Sequence, residues 1–271
     1  MKVILSRKGF DSTNGGVASP ILPDGTLLSL PIPAADGKAY FELHYDGQTY
    51  DDIIRQLSPK FSGSKCHLDP DIRRGAFNAP AEWKAVFGQN DAALTNIQNQ
   101  GVGVGDLFLF FGWFKRTERG TSGKLRYVRG EGDGVHIIYG YLQVGAVVTD
   151  KAEIAKYHWH PHAHLETTKN CLYITRETLS WDKNRSGYGV FPYDGRLVLT
   201  KDGMSRSNWR LPELPIFSGS DRLKISSSRK DAWRNDPQHG EYYRAMDIGQ
   251  EFVFEETAAV EAWARSLIDG C

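Results

Sequence analysis

Two short stretches of this chain concentrate side chains that could do chemistry. The first, SRKGFDSTNGG over residues 6–16, supplies Ser6, Arg7, Lys8, Asp11, Ser12, Asn14, Gly15 and Gly16. Arg and Lys neutralise phosphate, glycine allows close backbone approach, and Asp can hydrogen-bond a base amino group or act as an acid or base. Such a loop could cradle a phosphate or the edge of a nucleobase. It lacks GxxxxGK[ST], so it is not a Walker loop. A solvated loop around a salt-bridged Asp11 suits the same residue types, and both readings stand at this point. The second stretch holds His158, His160, His162 and His164, spaced by two. On a regular strand they would share one face and resemble a metal site, but Pro161 breaks that geometry. His67, Asp69 and Asp71 in CHLDPD could converge on them in space. Metal ligation, contact of one or two histidines with a ligand, and a structural role remain open. No residue is assigned to a metal, and the cofactor is unknown.

A third group is a surface that mixes cations and rings. Residues 115–129 carry six cations and one carboxylate, a net +5, with Trp113, Phe114 and Tyr127 beside them. Trp209 and Trp233 lie among Arg206, Arg210 and Arg234. Bases stack on aromatic faces and Arg pairs with phosphate, so Arg126 and Arg129 are expected on a nucleic-acid surface. Trp113, inside an apolar strand, is expected in the core.

The elements that must position these groups follow from periodicity. Lys2–Leu5 reads as a buried strand opening into the glycine-rich loop, and Pro31 and Pro33 confine a second extended piece to a sheet edge. Residues 50–57 are expected to form a short helix, and APAEWKAVF from Ala79 another, with Pro80 in its first turn. DLFLFFGWF (106–114) and HIIYGYLQVGAVV (136–148) read as strands, the first fed by a Gly105-Asp106 turn, with further strands at CLYIT and RLVLT. Val260, Trp263, Leu267 and Ile268 share one face of a C-terminal amphipathic helix.

Thirty-three cations balance 33 carboxylates, which excludes a whole-molecule electrostatic pull towards nucleic acid or membrane. Three cysteines are too few and scattered for a disulfide framework, which suits a reducing cytosol. The N-terminus is too short in apolar residues for a signal-peptide core, and the longest apolar run, Leu107–Phe114, is under half a membrane span. The expectation is a cytoplasmic protein without a membrane partner. GxSxG, HExxH and a dinucleotide fingerprint are absent.

The motifs SRKGFDSTNGG, SPILPDG, LSLPIP, CHLDPD, GVGVGDLFLFFGWF, YGYLQVG, HPH, CLYIT, RLVLT and GQEFVF resemble the nucleotide modification associated domain 3 family over nearly the whole chain. The resemblance implies association with systems that modify bases in DNA, on phages, mobile elements or defence islands. Residues 101–148 also resemble the strand pair of PUA-like domains of the EVE and ASCH kind, which implies a small β-barrel with a nucleobase pocket. The expected fold is therefore α+β: one domain over 1–271 built around a mixed or antiparallel PUA-like barrel with peripheral helices. Two functions follow. One is capture of a modified base, with Ser6, Arg7, Ser12, Asn14, Gly15, Gly16, Arg126 and Arg129 as binding residues. The other is processing of a nucleotide or nucleobase, with Asp11 as acid or base, Lys8 as electrostatic stabiliser and His160 or His162 as proton carrier. A non-catalytic component of a base-modification complex is the alternative, the acidic segment from Asn235 onward meeting a basic partner protein.

Overall fold

The computed structural model describes residues 1–214, 216–217, 223–226, 230–245 and 251–270. Its main sheet has nine strands, numbered here in chain order: β1 Val3–Arg7, β2 Ser19–Ile21, β3 Val86–Asn90, β4 Leu107–Arg119, β5 Leu125–Tyr127, β6 Val135–Val148, β7 Asn170–Thr175, β8 Tyr188–Val190 and β9 Glu251–Val253. The order across the sheet is β9-β1-β4-β6-β7-β3, with β2 and β5 on β4 and β8 on β6. β1 and β2 run parallel to β4, and the other pairs are antiparallel. Register shifts on β6 at Ile138/Gly140 and Val144/Ala146 bend the long strand. The result is an α+β fold with a curled half-barrel sheet. Among the described residues its strand path does not close on itself, so the expected barrel is only half formed.

Leu107–Phe111 are buried in succession, which requires apolar cover on both faces of β4. One face stacks Phe87, Phe108, Phe110 and Tyr173, with neighbouring centroids 4.8–6.1 Å apart. On the other face Phe111 lies 5.0 Å from Trp209 and 6.2 Å from Phe252. Four α-helices surround the sheet among the described residues: α1 Tyr50–Leu57, α2 Asp91–Asn99, α3 Lys151–Ala155 and α4 Ala258–Asp269. The Thr49 hydroxyl accepts from the Asp52 N–H at 3.0 Å and caps α1 where expected. α4 buries Val260, Ala264, Leu267 and Ile268, while Trp263 packs half-buried against Phe254.

Three expectations need correction. APAEWKAVF is not a helix: it turns at Ala81-Glu82, the Trp83 indole donates to Asp71 at 2.6 Å, and its last two residues, Val86 and Phe87, open β3. Inward anchoring of Trp83 and the Asp71–Val86 bridge outweigh helix propensity there. RLVLT makes a 3-10 turn at Gly195–Leu197 and isolated bridges through Val198 and Thr200 instead of a strand. Trp113 is half-exposed with the Arg206 guanidinium 4.3 Å from its ring, because sheet alternation turns it away from Phe114. α2 was not anticipated. Among the described residues no helix is long and apolar enough to cross a membrane.

Candidate functional site

β1, β3, β7 and β9 bring polar ends to one place in the sheet. The Lys8 N–H continues the ladder by donating to the Phe111 carbonyl at 2.8 Å, which aims the side chain across the ring of Phe87, 4.5 Å away. The ammonium lies 3.7 Å from Asp69 Oδ2 and 3.7 Å from Glu251 Oε1, all three side chains being at most 9% exposed. Buried charges persist only when paired, and here the ammonium stands between two carboxylates that are themselves hydrogen-bonded. Glu251 accepts from the Ser6 hydroxyl at 3.3 Å and from the Gln89 carboxamide. Asp69 Oδ1 accepts the Gly88 N–H at 2.7 Å and has His160 Nε2 at 3.3 Å. Burial pushes the Asp69 carboxyl up, but His160 and Lys8 outweigh it and hold Asp69 well below the usual carboxylate range. Burial wins at Glu251, which is raised despite Lys8, and at Asp71, pushed up to about 6 despite the Trp83 indole.

The histidines divide by depth. His160 is fully buried; its Nδ1 accepts the His162 N–H at 3.3 Å, which leaves Nε2 as the nitrogen that carries a proton towards Asp69. His162 reaches the surface of the cleft. The Asn170 amide donates to the His162 carbonyl at 2.7 Å, which leaves Asn170 Oδ1 to accept from His162 Nδ1 at 2.8 Å. His162 Nε2 is thereby the lone-pair nitrogen. Burial pushes the His162 imidazolium down to about 4, partly opposed by Asp69, and burial lowers His67 as well. Gly88 makes the approach possible, because a Cβ there would sit 2.3 Å from the His162 ring.

Above this floor opens a cleft of about 210 Å³. Arg7, Lys8, Asp11 and Asn14 form one wall, Gln89 and Asn90 another, and His67, Asp69 and His162 the base. The N-terminal loop and the HPH turn, 150 residues apart in the chain, therefore meet, and CHLDPD meets them both. His67, Asp69 and His162 each place one donor atom within 4.8 Å of the others'.

The remaining candidates divide between the wall of the cleft and other places. Asp11 accepts the Thr13 and Asn14 N–H groups at 2.7 and 2.6 Å together with the Asn14 amide, which makes it the staple of its loop. Gly15, at φ +93°, lies where a Cβ would be 2.3 Å from the Phe10 ring. Gly16 is also in the left-handed region. Ser6 lies beneath the cleft on Glu251, and Ser12 accepts from Arg206 at 3.2 Å. His158 and His164 line a separate pocket with Trp159. Arg126 and Arg129 are exposed on the β4–β5 hairpin, where Arg126 pairs with Glu118 at 2.9 Å. Arg119, at the end of β4 beside Arg126, is eight residues beyond Phe111, roughly 26 Å along the strand.

Residue types alone missed Gln89, Asn90, Asn170 and Glu251. Gln89 had a signal, a polar residue closing the apolar run AVFG, and Glu251 had a similar one ahead of FVF. Asn170 had none. The arrangement offers carboxamides that can read donors and acceptors on a heterocycle, cations for an anion, and a neutral imidazole beside an ionised carboxylate. No curated protein and no solved structure matches the chain. The profile of nucleotide modification associated domain 3, whose name points to nucleotide-modification systems, matches residues 2–255 of 271, and the chain belongs to that family.

Proposed function

We propose that the cleft takes one nucleobase or nucleotide, free or within nucleic acid, and that the protein recognises and processes it in a DNA-modification or defence system of the cytoplasm. The observation that carries this reading is the convergence of the residues 6–16 loop, CHLDPD and the HPH turn on a buried ionic floor, because strongly perturbed titratable groups in a cleft mark functional sites. Arg7 meets phosphate, the Asn14 and Asn90 carboxamides read the base edge, and Lys8 stabilises negative charge at the reacting atoms. At about 210 Å³ the cleft lies below the ~300–1,000 Å³ of drug-sized sites, in keeping with a single heterocycle. We read residues 1–271 as one such domain. The Gly105-Asp106 turn, where Asp106 accepts from Lys2 and Gly103 N–H groups at 2.8 and 2.9 Å, supports a PUA-like strand pair at 101–148.

Native mass spectrometry and titration with mononucleotides and short single strands test the reading. Wild-type protein is expected to bind, and Asn90→Ala and Lys8→Met are expected to weaken binding at least tenfold while far-UV circular dichroism stays unchanged. Equal affinity in both variants would remove the cleft from the binding site.

A further inference from the structure

We propose that His67, Asp69 and His162 form a binding site for one first-row transition-metal dication, held by two imidazoles and one carboxylate and open towards the cleft. This deepens the functional reading and shares its cleft, but metal binding does not require that the ligand be a nucleotide.

Distance is the first argument. Donors bound ~2.1 Å from one ion lie roughly 3.0–4.2 Å apart in tetrahedral or octahedral geometry. Here the three donor atoms already lie within 4.8 Å of one another, so small side-chain movements close the site.

Orientation is the second. Ligating histidines characteristically donate their other ring N–H to a fixed acceptor, which sets the tautomer and the aim of the ring. His162 does so before any ion arrives: its Nδ1 lies 2.8 Å from Asn170 Oδ1, and Asn170 is locked by its own 2.7 Å bond to the His162 carbonyl. Asp69 is held by the Gly88 N–H through Oδ1. Gly88 leaves room for the His162 ring that any side chain would take.

Charge is the third. Lys8 stands 3.7 Å from Asp69, and an incoming dication competes with it for that carboxylate. Lys8 is not stranded by the exchange, because Glu251, steadied by Ser6 and Gln89, is equally close. The second carboxylate thus has a reason to be buried there: it keeps the ammonium paired while Asp69 serves the ion.

Two nitrogens and one oxygen suit zinc, iron, cobalt or nickel better than magnesium or calcium, which prefer oxygen donors. With three protein ligands, at least one position remains for water or a substrate atom, as in hydrolytic zinc sites and two-histidine iron sites. His162 is then a ligand and not the proton carrier its sequence position suggested.

The test uses full-length protein stripped with chelator and dialysed, titrated with Zn²⁺ by calorimetry and with Co²⁺ by visible absorption, without nucleotide. One equivalent is expected to bind. His67→Gln, at a partly exposed position, and Asp69→Asn are expected to weaken Zn²⁺ binding at least tenfold, and Asn170→Ala 10–100-fold through lost orientation. His158→Gln, in the neighbouring pocket, is expected to leave affinity unchanged. Absence of stoichiometric Zn²⁺ and Co²⁺ binding, or undiminished affinity in folded His67→Gln and Asn170→Ala protein, overturns the site. Zn²⁺ binding by protein that binds no nucleotide would uphold the site and refute the functional reading instead.

Discussion

The cleft and the β4–β5 hairpin use the same residue types to opposite effect. On the hairpin, Arg126 and Glu118 pair at 2.9 Å with roughly half of each side chain in water. In the cleft, Lys8, Asp69 and Glu251 stand farther apart, at 3.7 Å, yet almost wholly out of water. The shorter contact is the weaker one, because solvent screens it and side-chain entropy opposes it. Removal of a partner from the buried set leaves a charge that water cannot reach. Charge density in the sequence marks the hairpin, whereas burial marks the cleft.

The largest expected effect sharpens that contrast. Lys8→Met should cost ~3–5 kcal/mol in urea unfolding, the penalty for stranding the buried Asp69 and Glu251 carboxylates, while Glu118→Gln should cost under ~0.5 kcal/mol. Similar losses at both sites would mean that water reaches the floor of the cleft. Gly88→Ala comes next, at ~1–3 kcal/mol for an overpacked contact, together with loss of ligand binding as His162 is pushed aside. Full binding in that variant would show that the position of His162 does not matter.

His136 separates burial from pairing. It accepts the Trp209 indole N–H at 3.1 Å, and burial, with Arg7 and Arg206 adding to it, pushes its imidazolium down to about 3. The unfolded chain therefore binds more protons than the folded one between about pH 6.5 and pH 3, and stability falls as pH drops through that window. His136→Gln should flatten the acid limb by up to ~1.4 kcal/mol per pH unit, read from denaturant midpoints at stepped pH. An unchanged slope would place the acid sensitivity elsewhere. The smallest effect is on the hairpin itself. Arg126→Ala with Arg129→Ala should leave stability within ~0.5 kcal/mol and mononucleotide affinity unchanged, while lowering the salt slope of single-strand binding by about 2. A loss of mononucleotide affinity would join the hairpin to the cleft.

What the sequence disclosed follows this same division. β1, β4, β6, β7, α1 and α4 were legible because their apolar periodicity is set by faces that must be covered. α2 and the turn before β3 were not, since Trp83 serves a tertiary contact with Asp71 that no local pattern announces. In the cleft, Lys8, His162 and the convergence of His67 and Asp69 were legible as residue types and spacing. Glu251 was not, because its meaning lies in a strand pair joining residues 245 positions apart, Ser6 and Glu251. Asp11 was legible as a polar residue of the loop that walls the cleft, and what residue types did not announce is that its carboxylate also holds that loop in shape.

That strand pair also sets a timetable for synthesis. Lys8 leaves the ribosome early, but Glu251, one of its two counter-charges, follows 243 residues later, roughly 12–50 s at ordinary elongation rates. β9 completes the edge of β1 only then. Until Glu251 emerges the nascent chain has an ammonium with at most one of its two carboxylates and an uncovered sheet edge, so the cleft reaches its working form only after β9 is made.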